Sequence, residues 1–385
     1  KIYLMKNFLI KQYKADLKLK LKHNYLTEQF SDYRLVFNDI SKLIERADYT
    51  LGEPVERFEK LFSKTVKSKF AIGVGSGTDA IFLSLKALGI DKGDEVITTP
   101  FTYIATVGAI VQTGAKPVFV DINDNCNINE NLIEKKITNK TKAIVPVHWT
   151  GKMCDMFKIQ KLAKKYNLKI VQDACHAINS KLYNKTPPDF GNTSCYSMHP
   201  LKNLNVWGDG GVIAINDYSL YKKLKLMRNH GLSSRKNCEF FGYNSRLDSI
   251  QAIVGIHVIK KKLNNITSSR IKNSRYLDQK LSNIREIKLI KKNNKIKEVF
   301  HLYQFLCKKR NSLNMFLRKN GIDSKIHYQK PIHLHRASKY LNHRKGDFPV
   351  AERISKNILS LPVHEYIKFK DLDFMVKKIK EFYKL

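Results

Sequence analysis

From about residue 69 onward, short apolar runs alternate with segments in which apolar residues recur every three or four positions. The runs FAIGVGSG, DEVITTP, KPVFVDI, KAIVPVHW and LKIVQDAC predict strands, and TDAIFLSLKALGI, YIATVGAIVQTG and FKIQKLAKKYN predict helices between them. Strands rich in β-branched residues that alternate with helices are typical of a mostly parallel sheet covered on both faces. The pattern therefore predicts an α/β fold with a mostly parallel central sheet flanked by helices.

The periodicity changes towards the C-terminus. A long helical pattern, NSRLDSIQAIVGIHVIKKKLNNI, is followed by a lysine-rich stretch that combines short strands with amphipathic helices. We therefore predict three parts. They are an N-terminal arm with leading helices at residues 1–50, a large α/β domain at residues 51–262 and a smaller C-terminal α+β domain at residues 263–385.

The charge of the chain is unusual, since 70 lysine and arginine residues stand against 34 acidic residues and give a net charge of +36. Such an excess is typical of nucleic-acid-binding proteins. Here, however, the lysines are spread over the whole chain, and arginine, the better reader of bases, is the minority cation. We therefore favour a lysine-rich surface without a nucleic-acid partner. Such a surface would still attract an anionic small substrate.

Compartment and metal content follow from what the sequence lacks. No apolar run is long enough to span a bilayer, and the basic N-terminus has no signal-peptide pattern. The six cysteines are scattered without a C-x-x-C pair, which fits neither a disulfide framework nor a zinc site. We expect a cytoplasmic protein with no membrane span and no bound metal.

Three segments at predicted strand ends carry candidate chemistry, because ligands collect at such positions in open α/β sheets. The first, GSGTDA, places glycines and a hydroxyl residue at a helix start, where backbone N–H groups suit a phosphate. It lacks the P-loop pattern but fits the loose dinucleotide form G-x-G-x-x-A. A plain turn in which Thr78 caps the helix is equally compatible with this segment.

The second and third segments add a carboxylate and a lysine. In VQDACHA a strand runs into Asp173, whose carboxylate would hold a cationic ring nitrogen, although an aspartate that caps a helix gives the same pattern. In SMHPLKNLNVWGDGG, Lys202 follows a predicted strand, and burial would lower its pKa so that it forms a Schiff base with an aldehyde. Ser197 supplies a second hydroxyl for a phosphate.

Together these parts resemble a pyridoxal phosphate site. That cofactor needs a phosphate cup, a carboxylate at the ring nitrogen, an aromatic plate and a lysine, and Tyr103 in PFTYIAT is the candidate plate. The motifs GSGTDA, PFTYIAT, QDACHA, SMHPLKN, GDGG and GYNSRLD occur in the order and approximate spacing of the DegT/StrS-type sugar aminotransferases. The resemblance covers residues 51–259 and continues more loosely through HYQKPIHLH. It implies a fold type I pyridoxal phosphate transferase that works as a homodimer with shared active sites.

The resemblance also implies roles for individual residues. Lys202 would bind the cofactor and shuttle the proton, with Asp173 at the pyridine nitrogen as the second catalytic residue. The other implied cofactor contacts are Gly77, Thr78, Asp79 and Ser197 at the phosphate, Tyr103 on the ring, His176 near the ring oxygen and Asn244 at the neighbouring subunit's phosphate. Gln172, Cys175 and Met198 depart from residues frequent in the family, but none of these changes removes a cofactor contact.

Other polar residues of these segments have competing interpretations. Relatives that act as dehydratases, with the cofactor in its pyridoxamine form, carry a histidine at the lysine position. Here Lys202 is present and His199 belongs to the loop, which favours transamination. Cys175 beside His176 is a weak candidate nucleophile, since triad partners meet in space and not as sequence neighbours. His148 and Trp149 would line the site, or His148 would be a packed histidine.

The implied reaction moves an amino group from L-glutamate, which becomes 2-oxoglutarate, to C3 or C4 of a keto sugar that is usually nucleotide-linked. The candidate substrate contacts are Arg228, His230, Arg246, His327 and Tyr328. For Arg228 and Arg246, a solvated cation on the protein surface is more common than a contact with the substrate. Two other hypotheses stay open, a pyridoxamine-dependent sugar dehydratase and a basic nucleic-acid-binding or regulatory protein without the chemistry.

Overall fold

The apolar runs of the sequence assemble into a seven-stranded sheet. The computed structural model describes residues 19–23 and 25–385, so residues 1–18 and residue 24 of the predicted N-terminal arm lie outside the described residues. The described strands are β1 Phe70–Val74, β2 Glu95–Thr98, β3 Lys116–Phe119, β4 Thr141–Ile144, β5 Lys169–Asp173, β6 Lys181–Leu182, β7 Thr193–Ser197, β8 Gly211–Ile215, β9 Ile287–Leu289, β10 Ile296–Lys297, β11 Tyr303–Cys307 and β12 Ile358–Leu361.

Helices connect these strands and cover the sheet. The described α-helices are α1 Leu26–Gln29, α2 Tyr33–Arg46, α3 Glu53–Val66, α4 Gly77–Ala87, α5 Ile104–Gln112, α6 Glu130–Ile133, α7 Met156–Lys165, α8 Tyr218–Met227, α9 Ser249–Lys261, α10 Leu263–Leu281, α11 Arg310–Lys319, α12 Pro349–Asn357 and α13 Phe369–Tyr383. Each of them is too short or too polar to cross a lipid bilayer, a finding that covers the described part of the chain.

The strand order in the large sheet is β1-β8-β7-β5-β4-β2-β3. The neighbours from β7 to β3 pair in parallel, whereas β8 runs antiparallel to both β1 and β7. The prediction of a mostly parallel sheet is therefore confirmed, with β8 as the exception. Parallel pairing puts the carboxyl ends of β5 and β7 at the same edge, and the second and third candidate segments begin there.

Alternate residues of β1 and β8 face opposite layers of helices. Ala71 and Ala214 pack in one cluster with Phe58 of α3 and Val254 of α9. Their sequence neighbours in the strands belong to a second cluster that includes Leu85 of α4. The central strands are consequently buried on both faces, which explains why they read as continuous apolar runs.

The C-terminal part forms its own antiparallel sheet in the order β12-β11-β9. Its core joins Phe305 of β11 to Leu277 of α10, Leu313 of α11 and Met375 of α13. Leu21 of the N-terminal arm packs in the same cluster and forms a parallel bridge with Ile322. The described end of the arm is thus attached to the C-terminal sheet.

Asp121 connects the large sheet to the C-terminal part. This residue follows β3 and is 7% exposed. Its two carboxylate oxygens accept hydrogen bonds from the backbone N–H groups of Val350 and Ala351, both at 2.9 Å. These groups belong to the first turn of α12, where backbone donors have no partner within the helix and an anion is stabilised by the helix dipole.

Candidate active site

The start of α4 contacts the two other candidate segments. Gly77 is the first residue of the helix, and a Cβ atom added there would lie 2.7 Å from Cβ of Ser197 and 3.0 Å from Sγ of Cys175. Only glycine allows this approach. The capping residue is Ser76, whose Oγ accepts from the N–H of Asp79 at 3.1 Å, so the alternative in which Thr78 caps the helix is wrong.

Asp79 is held by a residue from a distant loop. Its Oδ2 accepts a hydrogen bond from Oγ of Ser245 at 2.9 Å, and the same Oγ accepts from the N–H of Gly75 at 3.1 Å. The adjacent Asn244 is exposed and forms a backbone bridge with Asn229. Its predicted contact with a neighbouring subunit stays a prediction.

Asp173 ends β5 with its carboxylate fixed from two sides. Oδ2 accepts from Oγ1 of Thr106 at 2.7 Å, and Oδ1 accepts from the N–H of Cys175 at 3.1 Å. Turns rather than a helix follow Asp173, so the helix-cap alternative is wrong. Thr106 was not predicted, although its place one turn after Tyr103 in PFTYIAT, on the face of α5 that reaches the sheet edge, was a usable signal.

Lys202 lies in the loop after β7, beside the same carboxylate. Burial lowers the pKa of its ammonium below the ordinary value, and the nearby Cys175 and Asp173 oppose this shift only in part. The neutral amine is the form that attacks an aldehyde. The loop is held by the N–H of Lys202, which donates to the carbonyl of His199 at 2.8 Å, and by Nε2 of Gln29, which donates to the carbonyl of Pro200 at 2.9 Å.

His199 supports this loop. Its Nδ1 accepts from the backbone N–H of Leu201 at 3.2 Å, in keeping with the loop role expected for it.

Cys175 does not have the properties of a catalytic nucleophile. Burial raises the pKa of its thiol well above the ordinary value and keeps it protonated.

His176 packs at an angle against other aromatic rings. Its ring centroid lies 4.1 Å from that of His301 and 5.5 Å from that of Trp149. Burial lowers the pKa of His176 far enough to keep the ring neutral at physiological pH. Its Nδ1 is buried and has no hydrogen-bond partner among the described residues. Buried polar atoms are nearly always paired, so this nitrogen points to a missing polar group.

Two predicted substrate residues lie near the predicted aromatic plate. Tyr103 is 47% exposed, and its ring centroid lies 6.1 Å from that of Tyr328. His327 is half-buried, and its desolvation lowers its pKa to about 3; its Nδ1 hydrogen-bonds Oγ of Ser360 at 3.0 Å. His148 is packed and not at the surface of the site, since its Nε2 donates to Oε1 of Gln172 at 3.0 Å.

The remaining substrate candidates are not brought to this cluster. Arg228 is 4% exposed, and its Nη1 donates to the carboxylate of Glu59 and, at 2.6 Å, to the carbonyl of Gly73. The interpretation of Arg228 as a substrate contact or a solvated cation is therefore corrected to a structural ion pair. His230 is exposed in the following loop, and Nη1 of Arg246 donates to Oδ1 of Asn229 at 3.2 Å.

The assembled cluster fits pyridoxal phosphate. The close approach at Gly77 leaves backbone donors at a helix start for a phosphate. The fixed carboxylate of Asp173 suits a protonated ring nitrogen, and Lys202 offers an amine that burial favours in its neutral form. The unpaired Nδ1 of His176 offers a further polar contact.

Comparisons with known proteins agree with this fit. The model of the DegT/DnrJ/EryC1/StrS aminotransferase family matches residues 34–380. A pleiotropic regulatory protein of Geobacillus stearothermophilus is 37% identical over 93% of this chain and 97% of its own length. A dTDP-3-amino-3,6-dideoxy-alpha-D-galactopyranose transaminase of Aneurinibacillus thermoaerophilus is 35% identical over 89% of this chain and 94% of its own length.

Solved structures of relatives show the same architecture. DesV of Streptomyces venezuelae superimposes with a TM-score of 0.91 and 31% identity, covering 95% of this chain and 99% of that chain. Ntda of Bacillus subtilis, with bound cofactor PMP, has a TM-score of 0.86 and 28% identity, covering 92% of this chain and 82% of that chain. The predicted fold class and cofactor are both confirmed. The chain therefore belongs to the DegT/DnrJ/EryC1/StrS aminotransferase family, with pyridoxal phosphate as its cofactor.

Proposed function

We propose that this protein moves an amino group from L-glutamate to a nucleotide-linked keto sugar in amino-sugar biosynthesis. The observation that carries the proposal is the position of Lys202, whose pKa burial lowers, near the fixed carboxylate of Asp173 at the edge where β5 and β7 end. Relatives support the substrate class, since one is a UDP-N-acetyl-3-dehydro-alpha-D-glucosamine 3-aminotransferase, 34% identical over 85% of this chain.

Each residue of the cluster has a proposed task. When bound, pyridoxal phosphate supplies an aldehyde and an electron-withdrawing ring. Lys202 would hold the aldehyde of the cofactor through Nζ. Once the amine of the donor has taken its place, the released amine would accept the proton from the α-carbon of the donor and return a proton to the sugar carbon that receives the amino group. Asp173 would face the ring nitrogen, and Thr106 holds its carboxylate in place by donating to its Oδ2. Tyr103 covers one face of the ring and keeps water from it.

The start of α4 holds the phosphate in this proposal. The backbone of Gly77 and Asp79 and the hydroxyls of Thr78 and Ser197 would contact it. In support, Gly77, Thr78 and Asp79 form the first turn of α4, and the N-terminal end of a helix favours negative charge. His176 contacts the ring oxygen through its unpaired nitrogen.

We propose a homodimer in the cytoplasm as the working form. The exposed side chain of Asn244, next to the Ser245 that fixes Asp79, supports a contact with the neighbouring subunit's phosphate. The six free cysteines support a reducing compartment. The net charge of +36 attracts the anionic substrate.

The test supplies purified protein with pyridoxal phosphate, L-glutamate and a panel of nucleotide-linked keto sugars, and identifies the product by mass and NMR. A visible absorption band from the lysine-bound cofactor should appear, and Lys202→Ala should abolish both the band and the product. Lys297→Ala is the matched control, because partial burial also lowers the pKa of this lysine outside the cluster.

Three results would contradict the proposal. Absence of the band after pyridoxal phosphate is added would exclude the cofactor chemistry. Loss of water from the sugar without release of 2-oxoglutarate would instead assign the protein as a dehydratase. Steeply salt-dependent binding to DNA without aminated product would support the regulatory hypothesis.

A further inference from the structure

The side chain of Gln304 connects the C-terminal sheet to two segments of the candidate active site. Gln304 lies in β11, the central strand of that sheet, and is 7% exposed. Its Oε1 accepts a hydrogen bond at 2.8 Å from Nε1 of Trp149, which follows β4 of the large sheet. Its Nε2 donates to the backbone carbonyl of His327 at 2.9 Å and to Oγ of Ser360 at 3.2 Å. Both ends of the buried amide are therefore paired.

These partners need an acceptor and a donor on one side chain. The indole nitrogen of Trp149 only donates, and the carbonyl of His327 only accepts. A methionine at position 304 would have a similar length but would pair with neither of them, and a glutamate would lack the donor. Since a buried polar group without a partner destabilises the conformation that buries it, the amide of Gln304 fixes both groups where they are.

Trp149 is part of a group of aromatic rings beside the cofactor cluster. It is 1% exposed, and its ring centroid lies 5.1 Å from that of Phe101, 5.4 Å from that of Tyr328 and 5.5 Å from that of His176. We call these four rings the aromatic wall. Aromatic rings in tilted and edge-to-face contacts constrain one another's orientation, so a rotation of the indole would displace the rings around it.

The loop that contains His327 and Tyr328 is the second segment that Gln304 holds. Two backbone hydrogen bonds between Lys325 and Ser360, at 2.8 and 3.1 Å, attach the beginning of this loop to β12. The bond from Gln304 to the carbonyl of His327 lies two residues further along the chain, directly before Tyr328. The amide thus fixes the backbone from which the ring of Tyr328 extends.

Tyr328 in turn lies beside the predicted position of the cofactor. Its ring centroid is 6.1 Å from that of Tyr103, the predicted plate over the cofactor ring. Burial raises the pKa of the Tyr328 hydroxyl, and the nearby Tyr103 and Asp173 raise it further. The part of the loop that Gln304 fixes is therefore close to the residues that carry the chemistry.

Resting on the proposed function, we propose that Gln304 is a positioning residue of the active site. One amide sets the indole of Trp149 and the ring of Tyr328 at the same time, and so keeps the aromatic wall in one arrangement. The keto sugar binds against this wall, whereas the amine of Lys202 reacts without it. Loss of the amide therefore weakens sugar binding more than it slows the chemical step.

The position of Trp149 can be measured without a substrate. The chain has two tryptophans, so Trp207→Phe leaves Trp149 as the single tryptophan that emits. In the holoenzyme with this background, Gln304→Met should raise the acrylamide quenching constant of Trp149 about twofold or more, because the lost hydrogen bond no longer holds the indole in the interior. Gln304→Leu, which removes the same bonds, should act in the same direction.

Asn273→Leu in the same background is the matched control. Asn273 is 5% exposed in α10, and its Nδ2 donates to the backbone carbonyls of Val363 and His364 at 3.2 and 3.1 Å. It is thus also a buried amide that holds a segment of the C-terminal part, but its partners lie outside the aromatic wall. The quenching constant of Trp149 should stay unchanged in this variant.

Kinetics test whether the position of Trp149 matters for the reaction. With the keto sugar that the panel identifies, Gln304→Met should raise the KM for the sugar about tenfold, in keeping with the loss of buried hydrogen bonds. The kcat should stay within about twofold of the wild-type value, and the absorption band of the lysine-bound cofactor should be unchanged. Trp149→Phe removes the Nε1 donor. In that background Gln304→Met should raise the KM less than it does alone, because the two residues share one contact.

An unchanged quenching constant in both Gln304 variants, or an equal rise in Asn273→Leu, would overturn the proposal. Independent effects of Gln304→Met and Trp149→Phe on the KM, or a kcat that falls as much as the KM rises, would overturn it as well. If the wild-type holoenzyme aminates no sugar of the panel, the proposed function fails by itself. The quenching constant, which needs no substrate, then still decides whether Gln304 holds the indole.

Discussion

Methionine in place of Arg228 removes one partner of a buried ion pair while keeping the length of the side chain. Among the described residues, Oε1 of Glu59 would then keep the hydrogen bond from the N–H of Gly73 at 2.8 Å, in a site that is 8% exposed. The carbonyl of Gly73 would lose its bond from Nη1 of Arg228 as well. Loss of one partner of a buried pair costs about 3–5 kcal/mol of unfolding free energy, because the remaining charge is left uncompensated.

Equilibrium unfolding in urea, followed by circular dichroism, measures this loss. Glu59→Gln combined with Arg228→Met should recover most of the stability, since no buried charge remains. Arg246→Met on the same loop is the control, and it should cost less than about 1 kcal/mol because it removes one part-exposed hydrogen bond. Wild-type stability of Arg228→Met together with a raised KM for the sugar would refute the reasoning and restore Arg228 as a substrate contact.

Further changes test the cofactor cluster. Thr106→Val should weaken pyridoxal phosphate binding about ten- to hundredfold in an absorbance titration, because Asp173 loses a charge-assisted bond, and Thr106→Ser should restore it. Gly77→Ala should also weaken cofactor binding, since the added Cβ would lie 2.7 Å from a neighbouring Cβ. Gly108→Ala is the control: open space surrounds its added Cβ, so this change should stabilise α5 by up to about 1 kcal/mol. The rate of cofactor uptake by the apoprotein should rise with pH to a midpoint below about 10.4, the pKa of an ordinary lysine, because burial lowers the pKa of Lys202. A midpoint at or above that value would contradict this last prediction.

The central sheet and the positions of Lys202 and Asp173 could be predicted because they depend on local patterns in the sequence. Continuous apolar runs identify buried parallel strands, and polar residues directly after β5 and β7 must meet at one edge. Lys202 and Asp173 were found in this way. Their predicted roles at the cofactor stay predictions, but the structure brings them together with Cys175 and Gly77 as the strand-end argument requires.

What could not be predicted depends on contacts between distant residues. Arg228 is one of 70 basic residues, and nothing near it marks it as buried, since its partner Glu59 stands 169 positions away. Ser76 and Thr78 are both good caps, and only the backbone conformation decides between them. A cavity of about 100 Å³ is lined by both His23 and His364, so no sequence window contains it.

The bonds from Asp121 to the start of α12 limit how the C-terminal sheet can move. A displacement that lifted this helix from β3 would break two charge-assisted hydrogen bonds together, each worth about 1.5–3 kcal/mol, and would leave the buried carboxylate with the N–H of Ile122. A rotation about an axis through Asp121 preserves both bonds. Any such rotation would displace α12 least, and the displacement would grow with distance from Asp121.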